Sequence, residues 1–472
     1  MSILKEKLRD LNQLDETAAK LDALTDKQSQ ESELTEDALA LSFCKSEPLL
    51  RYVARWAQWL TFDGAQWRED DTLSVFDRVR KHVRGVIDGM RSKNSLQLTK
   101  AQAVAAIERL ARADRRYAAT VDQWDADDWL LNTPGGVVDL RTRELQPHDP
   151  SRYMTKKTSV APGGDCPIWQ GFLNDITAGD IEYIKFLQRV CGYAATSSTR
   201  EHAIFFAHGG GSNGKGTFFN TVQRVMGDYA TVAPMEVFTE SKHDRHPTEL
   251  AMLRGARLVL AQETEEGRAW AESKIKALTG GDPITARYMR QDFFTFTPTF
   301  KLLIAGNHKP TLRNVDEAMR RRLYLLPFAV TFSKAQRDTD LADKLIAEAG
   351  GILQWVIDGC LAYLRDGLNP PAVVVAATAE YFKSEDIFEQ WLADACEVGV
   401  NHWETPARLF SAWKRYAEAA GERAGTQKLL AERLLAAGFK NGNTRAKGGR
   451  HWDGLRVLDT GHDDQNGWRD RR

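Results

Sequence analysis

Residues 203–217 read AIFFAHGGGSNGKGT, an apolar run that breaks into glycines and ends on a lysine. Ala203 to His208 is short, apolar and β-prone, which predicts a buried strand. Gly209, the stretch Gly210-Gly211-Ser212-Asn213, then Gly214 and Lys215 reproduce the spacing G-x-x-x-x-G-K, and residues 217–226 (TFFNTVQRVM) continue with helical periodicity. Glycines let backbone N–H groups turn inward around an anion, and the N-terminus of the following helix adds a favourable dipole. Gly209, Gly211, Asn213, Gly214, Lys215, Gly216 and Thr217 are therefore the candidate nucleotide-binding residues, with Lys215 expected to reach the β- and γ-phosphates of a nucleoside triphosphate. One position departs from the pattern: Gly216 stands where a Ser or Thr hydroxyl usually binds magnesium, and Thr217 comes one place later. Either Thr217 takes the metal contact or water does.

With 472 residues the chain is long enough for about three domains. A hydrophobic content of 42% and a charged content of 27% are those of a globular protein with ample core. The net charge of −1 excludes a globally polybasic character, so any nucleic-acid binding must come from local patches. The five cysteines, Cys44, Cys166, Cys191, Cys360 and Cys396, are scattered and never form a C-x-x-C pair, which argues against a disulfide framework or zinc ribbon and for a reducing compartment. The N-terminal MSILKEKLRDLNQLDETAAKLDAL is a charged amphipathic pattern without an apolar signal core, and nowhere do 18 apolar residues run together. A cytoplasmic location without membrane partners is expected, the host bacterial cytoplasm if the chain is encoded by a phage or mobile element.

Residues 1–40 read as a polar helical leader and 41–165 as a mixed α/β domain. Within the latter, Trp59 to Trp67 predicts a β-hairpin around Asp63-Gly64. A helical stretch carries Arg78, Arg80, Lys81, Arg84, Arg91 and Lys93, a solvated face or a DNA contact. LLNTPGGVVDLRTRELQPHD at 130–149 predicts two short strands. Trp124-Asp125-Ala126-Asp127-Asp128-Trp129 contains the Asp-x-Asp spacing of metal-dependent polymerases. It has no second acidic cluster or histidine pattern beside it, so a surface turn is the better reading. In 166–202, Trp169, Phe172, Leu173 and Ile176, then Ile184, Leu187, Val190 and Cys191, fall at helical spacing.

An NTPase also needs a buried strand ending in a carboxylate that activates water and acts on magnesium. Ala256 to Glu263 (ARLVLAQE) supplies one, with Glu263 as candidate base and metal residue, Gln262 where many related NTPases have a second acid, and Glu265 in reserve. A third strand, Phe300 to Asn307 (FKLLIAGN), ends in a neutral amide able to orient water without adding negative charge. Arg320-Arg321-Arg322 then enters the apolar LYLLPF, and arginines at such an entry are costly to bury without anions.

These elements, in this order, resemble a superfamily 3 helicase. More narrowly the chain is similar to the phage/plasmid primase-helicase family related to the poxvirus primase-helicase, with its D5-like N-terminal region. GGGSNGKGTF, LVLAQETEEG, ALTGGDPITARYMRQDFFTFTPTFKLLIAGNHKP and DEAMRRRLYLLPF carry the likeness, and the similar lead-in extends it to roughly residues 45–460. The resemblance implies an α/β fold: a modified AAA+ P-loop NTPase core at 166–330, a hexameric ring around DNA, and ATP with magnesium bound between subunits. It implies Lys215 on the phosphates, Glu263 activating water, Asn307 as sensor, and an arginine finger from the neighbour. By distance from Pro327-Phe328 the finger is expected at Arg322, with Arg321 next and Arg320 a surface or structural arginine. Asp282–Phe296 is similar to the channel hairpin of such helicases, making Arg287 and Arg290 DNA-backbone candidates and Lys276 a weaker one.

Residues 331–400 read as a helical, lid-like segment. Residues 401–460 read as a winged-helix-like module and 461–472 as a polar tail. Fourteen Lys and Arg against nine Asp and Glu give 401–472 a local charge of +5. Lys428 and Arg433 on the recognition-type helix, with Lys440, Arg445, Lys447 and Arg450 in a turn from Lys440 to Arg450 and the wing, are the phosphate-contacting candidates. The expectation is an ATP-dependent DNA helicase acting on single-stranded or forked DNA, working with a separate primase or replication initiator. The alternative is a DNA-binding initiator or a mobile-element or defence protein that uses ATP as an assembly switch. Primase activity is not expected in this chain, because its first 165 residues show neither a metal carboxylate set nor a zinc motif.

Overall fold

The structure is a computed structural model that describes residues 34–88, 90, 93–240, 248–263, 269–289, 292–312, 316–421, 424–444 and 449–458. Most of the expected leader, 1–33, and the expected tail, 461–472, lie outside the described residues. The chain forms two compact units, one of residues up to 162 with 226–228, the other of 163–225 and 229 onward.

The first unit opens with helix α1 (Glu36–Ser46) and the antiparallel meander β1 (Leu50–Val53), β2 (Gln58–Phe62) and β3 (Trp67–Glu69). The β2–β3 turn is the expected Asp63-Gly64 hairpin. Asp63 Oδ1 accepts from the amides of Ala65 and Gln66, and Gly64 takes φ +101°. Helices α2 (Ser74–Val86), α3 (Lys93–Leu98) and α4 (Ala101–Arg112) follow, then a second meander, β4 (Leu130–Thr133), β5 (Gly136–Asp139) and β6 (Leu145–Gln146). Phe43, Val75, Val79, Val83 and Ile107, each on the inward face of its helix, form one core with Tyr117 from the turn after α4. The opposite face of α2 carries the basic run, in which Arg80 and Lys81 pair with Asp77, and Arg78 pairs with Glu47. The acidic 124–129 stretch is a turn: Asp125 takes φ +50° and accepts from Thr155 N and Oγ1, and Asp127 accepts from Trp129 N.

The second unit is built on a five-stranded parallel sheet. Helices α5 (Pro167–Ile176) and α6 (Ile181–Ala195) lead into β7 (Ile204–His208), then α7 (Lys215–Met226), β8 (Ala230–Val232), the short α8 (Thr248–Ala251) and β9 (Leu258–Glu263). After α9 (Glu272–Gly280) and the hairpin β10 (Ile284–Arg287) with β11 (Phe293–Phe296) come β12 (Lys301–Gly306), α10 (Glu317–Arg320) and β13 (Leu323–Pro327). The strand order is β13-β7-β12-β9-β8, every neighbouring pair parallel. β12 is buried along its whole length and β7 up to its last residue, the continuous apolar run expected of strands covered on both faces. The fold is thus mixed α/β with a helix-flanked parallel sheet.

At the edge where these strands begin, two buried cations hold the C-terminus of α6. Arg257 donates to Ala195 O at 2.7 Å and lies over the Tyr229 ring; Lys301 donates to Thr196 O and lies over Tyr193. Cationic groups complement the orphan carbonyls and negative dipole end found there.

Beyond the sheet lie α11 (Leu341–Ala347), α12 (Ala349–Asp366), α13 (Ala372–Glu385) and α14 (Ile387–Ala395). They are followed by β14 (Cys396–Glu404), α15 (Pro406–Ala419), α16 (Gln427–Ala436), β15 (Lys440–Thr444) and β16 (Gly449–Val457). Two expectations are corrected here. Helix does not persist to 400, because β14 begins at Cys396 and pairs with β16. Residues 440–444 are not part of a turn but a strand on the other side of β16. α14, expected in the lid-like segment, gives Phe388 and Trp391 to the core of Trp413, Leu430, Leu434, Trp452 and Leu455. Among the described residues no single helix is long and apolar enough to cross a membrane.

Candidate nucleotide site and nucleic-acid interface

Parallel register brings the ends of β7, β12 and β9 side by side: Gly306 lies opposite His208 on one side and Glu263 on the other. The glycine loop, Asn307 and Glu263 therefore share the carboxyl edge of the sheet, where open α/β folds present ligand sites. The loop turns through positive φ at Gly211 (+91°), Ser212 (+49°) and Gly214 (+84°) before α7 begins at Lys215. At Gly209 an added Cβ would overlap both the Asn213 amide and Phe328 O, whereas at Gly210, Gly211 and Gly216 it meets nothing within 4 Å. The loop is closed at its back and open at its mouth.

Lys215 is 7% exposed, and its ammonium donates to Gly209 O at 2.6 Å and to Asn307 Oδ1 at 3.1 Å. Burial holds its pKa below the ordinary lysine range. A buried cation whose contacts here are neutral oxygens is suited to an anion, so the residues fit a triphosphate. Thr217 is half-buried in the first turn of α7. Glu263 closes β9, and its side chain lies outside the described residues. Among the described residues no three His, Cys, Asp or Glu side chains group to hold a metal ion. His208, next to the loop, is held below its ordinary pKa by burial and then by the charges of Lys309 and Lys215.

The three arginines lie at the opposite edge. Leu323, which follows them, pairs with Ile204 at the start of β7, so a strand of about 15 Å separates them from the loop of their own chain. Arg320 is held by Asp386 at 3.3 Å and stacks over Phe382. Arg322 is half-buried, donating to Ala318 O at 2.9 Å and facing His202 Nδ1 at 3.3 Å. Arg321 is exposed, with one long bond of 3.4 Å to Glu317 O. Sequence position ranks Arg322 ahead of Arg321 for reaching a neighbour; exposure ranks them the other way.

Of the DNA candidates, Lys276 is taken up by an ion pair with Asp316, the residue that caps α10. Arg287 lies over the ring of Phe293, directly across the β10–β11 hairpin, and Phe293 is 58% exposed. Arg290, Arg445 and Lys447 lie outside the described residues. Lys428 and Arg450 are exposed, whereas Arg433 stacks over Trp413 and Phe388. Sequence reasoning passes over Phe293 in β11 and Tyr288, which lies just past the end of β10 and stacks on Phe294; the aromatic run FFTF at 293–296 is the available signal.

Residues 38–178 match a family profile described as D5 N terminal like, and residues 207–322 match that of a family of unknown function. The chain is 26% identical over 297 residues to "Putative helicase L207/L206" of Acanthamoeba polyphaga mimivirus, covering 57% of this chain and 31% of that protein. It is 24% identical over 231 residues to "Putative helicase 022R" of Frog virus 3 (isolate Goorha), covering 44% and 24%. The matches thus span only 24–31% of the length of these curated relatives. Among solved structures, the A form apo structure of the NrS-1 C-terminal region is similar over 86% of this chain and 96% of that one, with a TM-score of 0.47 and 8% identity. The D5-type match at 38–178, and the similarity to relatives named as helicases, support a likeness of this chain to the D5-like primase-helicase family.

Proposed function

We propose that the chain is an ATP-dependent DNA helicase whose 166–330 region is a modified AAA+ motor working as a hexameric ring. The observation that carries this reading is the meeting of Lys215 and Asn307 beside the end of β9. ATP with magnesium supplies the phosphoanhydride bond whose hydrolysis drives movement. The loop amides and the Lys215 ammonium bind its phosphates, Asn307 orients the reacting water, and Glu263 accepts that water's proton. Thr217 or water completes the metal contact. The arginines lie a strand's length from their own loop, so a finger would serve a neighbouring copy. Exposure favours Arg321 for that role.

Nucleic acid would meet the β10–β11 hairpin through Arg287 and the exposed Phe293, and the C-terminal module through Lys428 and Arg450. That module, α15 and α16 followed by the β15–β16 hairpin, suits a winged-helix reading, with α16 toward a groove. The test is ATP hydrolysis by the purified chain with and without single-stranded DNA, together with strand displacement on a forked duplex. DNA-stimulated turnover with displacement supports the motor; nucleotide-dependent assembly without either turns the reading to an initiator that uses ATP as a switch.

A further inference from the structure

The seven-residue loop has a back wall that its motif does not contain. Phe328, the first residue after β13, donates its amide to His208 O at 2.8 Å. The Asn213 side-chain amide donates to Phe328 O at 3.1 Å, and Phe332 N donates to Ser212 O at 2.9 Å. Asn213 is 3% exposed, so the bond is formed away from competing water. Its Oδ1 faces the Lys215 amide at the long distance of 3.5 Å. Both polar ends of this side chain are thus engaged by the protein. Gly209 makes the arrangement possible, because any Cβ there would occupy the space of the Asn213–Phe328 bond.

We infer that Asn213 is a positioning residue rather than a nucleotide ligand, and that it fastens the phosphate loop to the segment 328–332, making that segment part of the nucleotide site. The bond spans 115 positions of sequence. Through it, a change in the loop reaches the strand whose other end follows Arg322. Occupancy of the loop therefore alters the 328–332 backbone, and the loop keeps its shape only while that backbone holds it. The nucleotide-linked half of this inference rests on the ATP reading above; the positioning half does not.

The experiment is residue-resolved amide hydrogen exchange on the full chain, first without nucleotide, comparing wild type with Asn213→Ala and Asn213→Asp. The Asp variant keeps the shape but replaces the donor facing Phe328 O with an acceptor, and it serves if the Ala variant fails to fold. In both, the Phe332 amide should exchange about fivefold to tenfold faster, the worth of one net hydrogen bond, while β9 amides stay unchanged. Unaltered exchange at Phe332 in a folded variant would overturn the positioning role. ATP with magnesium is then added. In wild type, protection should rise in both 209–215 and 328–332; in Asn213→Asp it should rise in 209–215 alone. Equal protection of 328–332 in the variant overturns the coupling. If ATP protects nothing in wild type, the ATP reading fails, and the nucleotide-free comparison still judges Asn213.

Discussion

Lys215 Nζ lies 3.1 Å from Asn307 Oδ1 although 92 positions separate the two residues. Parallel pairing of β7 with β12 does this, since strands that start level end level, and each of these two ends in a polar residue or loop at the same edge. Lys215→Ala should lower DNA-stimulated ATP hydrolysis by roughly 10² to 10³, the cost of removing one preorganised electrostatic group. Asn307→Asp is the more telling change, because a carboxylate there would pair with the ammonium that phosphate needs. Turnover should fall at least as far as in Asn307→Ala, with weaker nucleotide binding as well, measured by steady-state kinetics and nucleotide titration.

Thr217 and Gly216 can be separated by rescue. A side chain at 216 meets open space, so Gly216→Ser should fold normally. If Thr217 supplies the metal contact, Thr217→Ala raises the magnesium concentration needed for half-maximal hydrolysis, and adding Gly216→Ser brings it back down. Loss without rescue would show that the hydroxyl is required one position later than usual, and no loss would give the contact to water.

The arginines differ by surroundings that no local pattern announces. Arg320→Ala removes a partly exposed pair with Asp386 and a stack on Phe382, and should destabilise by about 1 kcal/mol in thermal or denaturant unfolding. Arg321→Ala should leave the unfolding midpoint unchanged and abolish turnover in the assembled protein while nucleotide still binds. Retained turnover in Arg321→Ala, with loss in Arg322→Ala, would return the finger to Arg322.

Much of the candidate nucleotide site was legible because its elements are written contiguously: the glycine loop, the strand ending in Glu263 and the strand ending before Asn307 each announce themselves within ten residues. What was not legible depends on distant partners. Asn213 looks like a loop residue until Phe328 arrives from 115 positions away, and Arg320 looks like its two neighbours until Asp386 does. Lys440 to Thr444, KNGNT, contains almost no β-forming residue and reads as a turn; pairing with β16 imposes the extended backbone. Trp391 carries a helical signal, but periodicity alone could not say which core that helix joins.

His208 gives the protein a pH dependence of definite sign. Burial, with Lys309 and Lys215 nearby, lowers its folded-state pKa below the ordinary 6.5. Below pH 6.5 the unfolded chain takes up a proton that the folded chain resists, so stability falls as pH drops through that window and is fully present above it. His208→Gln should flatten the fall between pH 6.5 and 5 in denaturant unfolding. His82, also lowered by burial, adds a slope of the same sign, so the flattening is partial until His82 is replaced too.

The crossing of α6 with α12 sets the sharpest steric test of the fold. Gly192 faces the backbone of Gly359 and Cys360, and Gly359 faces Gln188 O, in both cases closer than any Cβ allows. Two glycines thus let the helix backbones touch, and Cys191, Cys360 and Tyr193 pack around the crossing without solvent. A methyl group at either position cannot be absorbed by a rotamer change, because what it strikes is main chain. Helix propensity would favour alanine over glycine by about 1 kcal/mol, yet overpacking against backbone costs about 1–3 kcal/mol or more. Gly192→Ala and Gly359→Ala should therefore each lower stability despite better helix formation. The double variant should lose less than the sum, since either methyl alone already forces the helices apart. A melting temperature that rises in either single variant would mean that the two helices do not cross this closely.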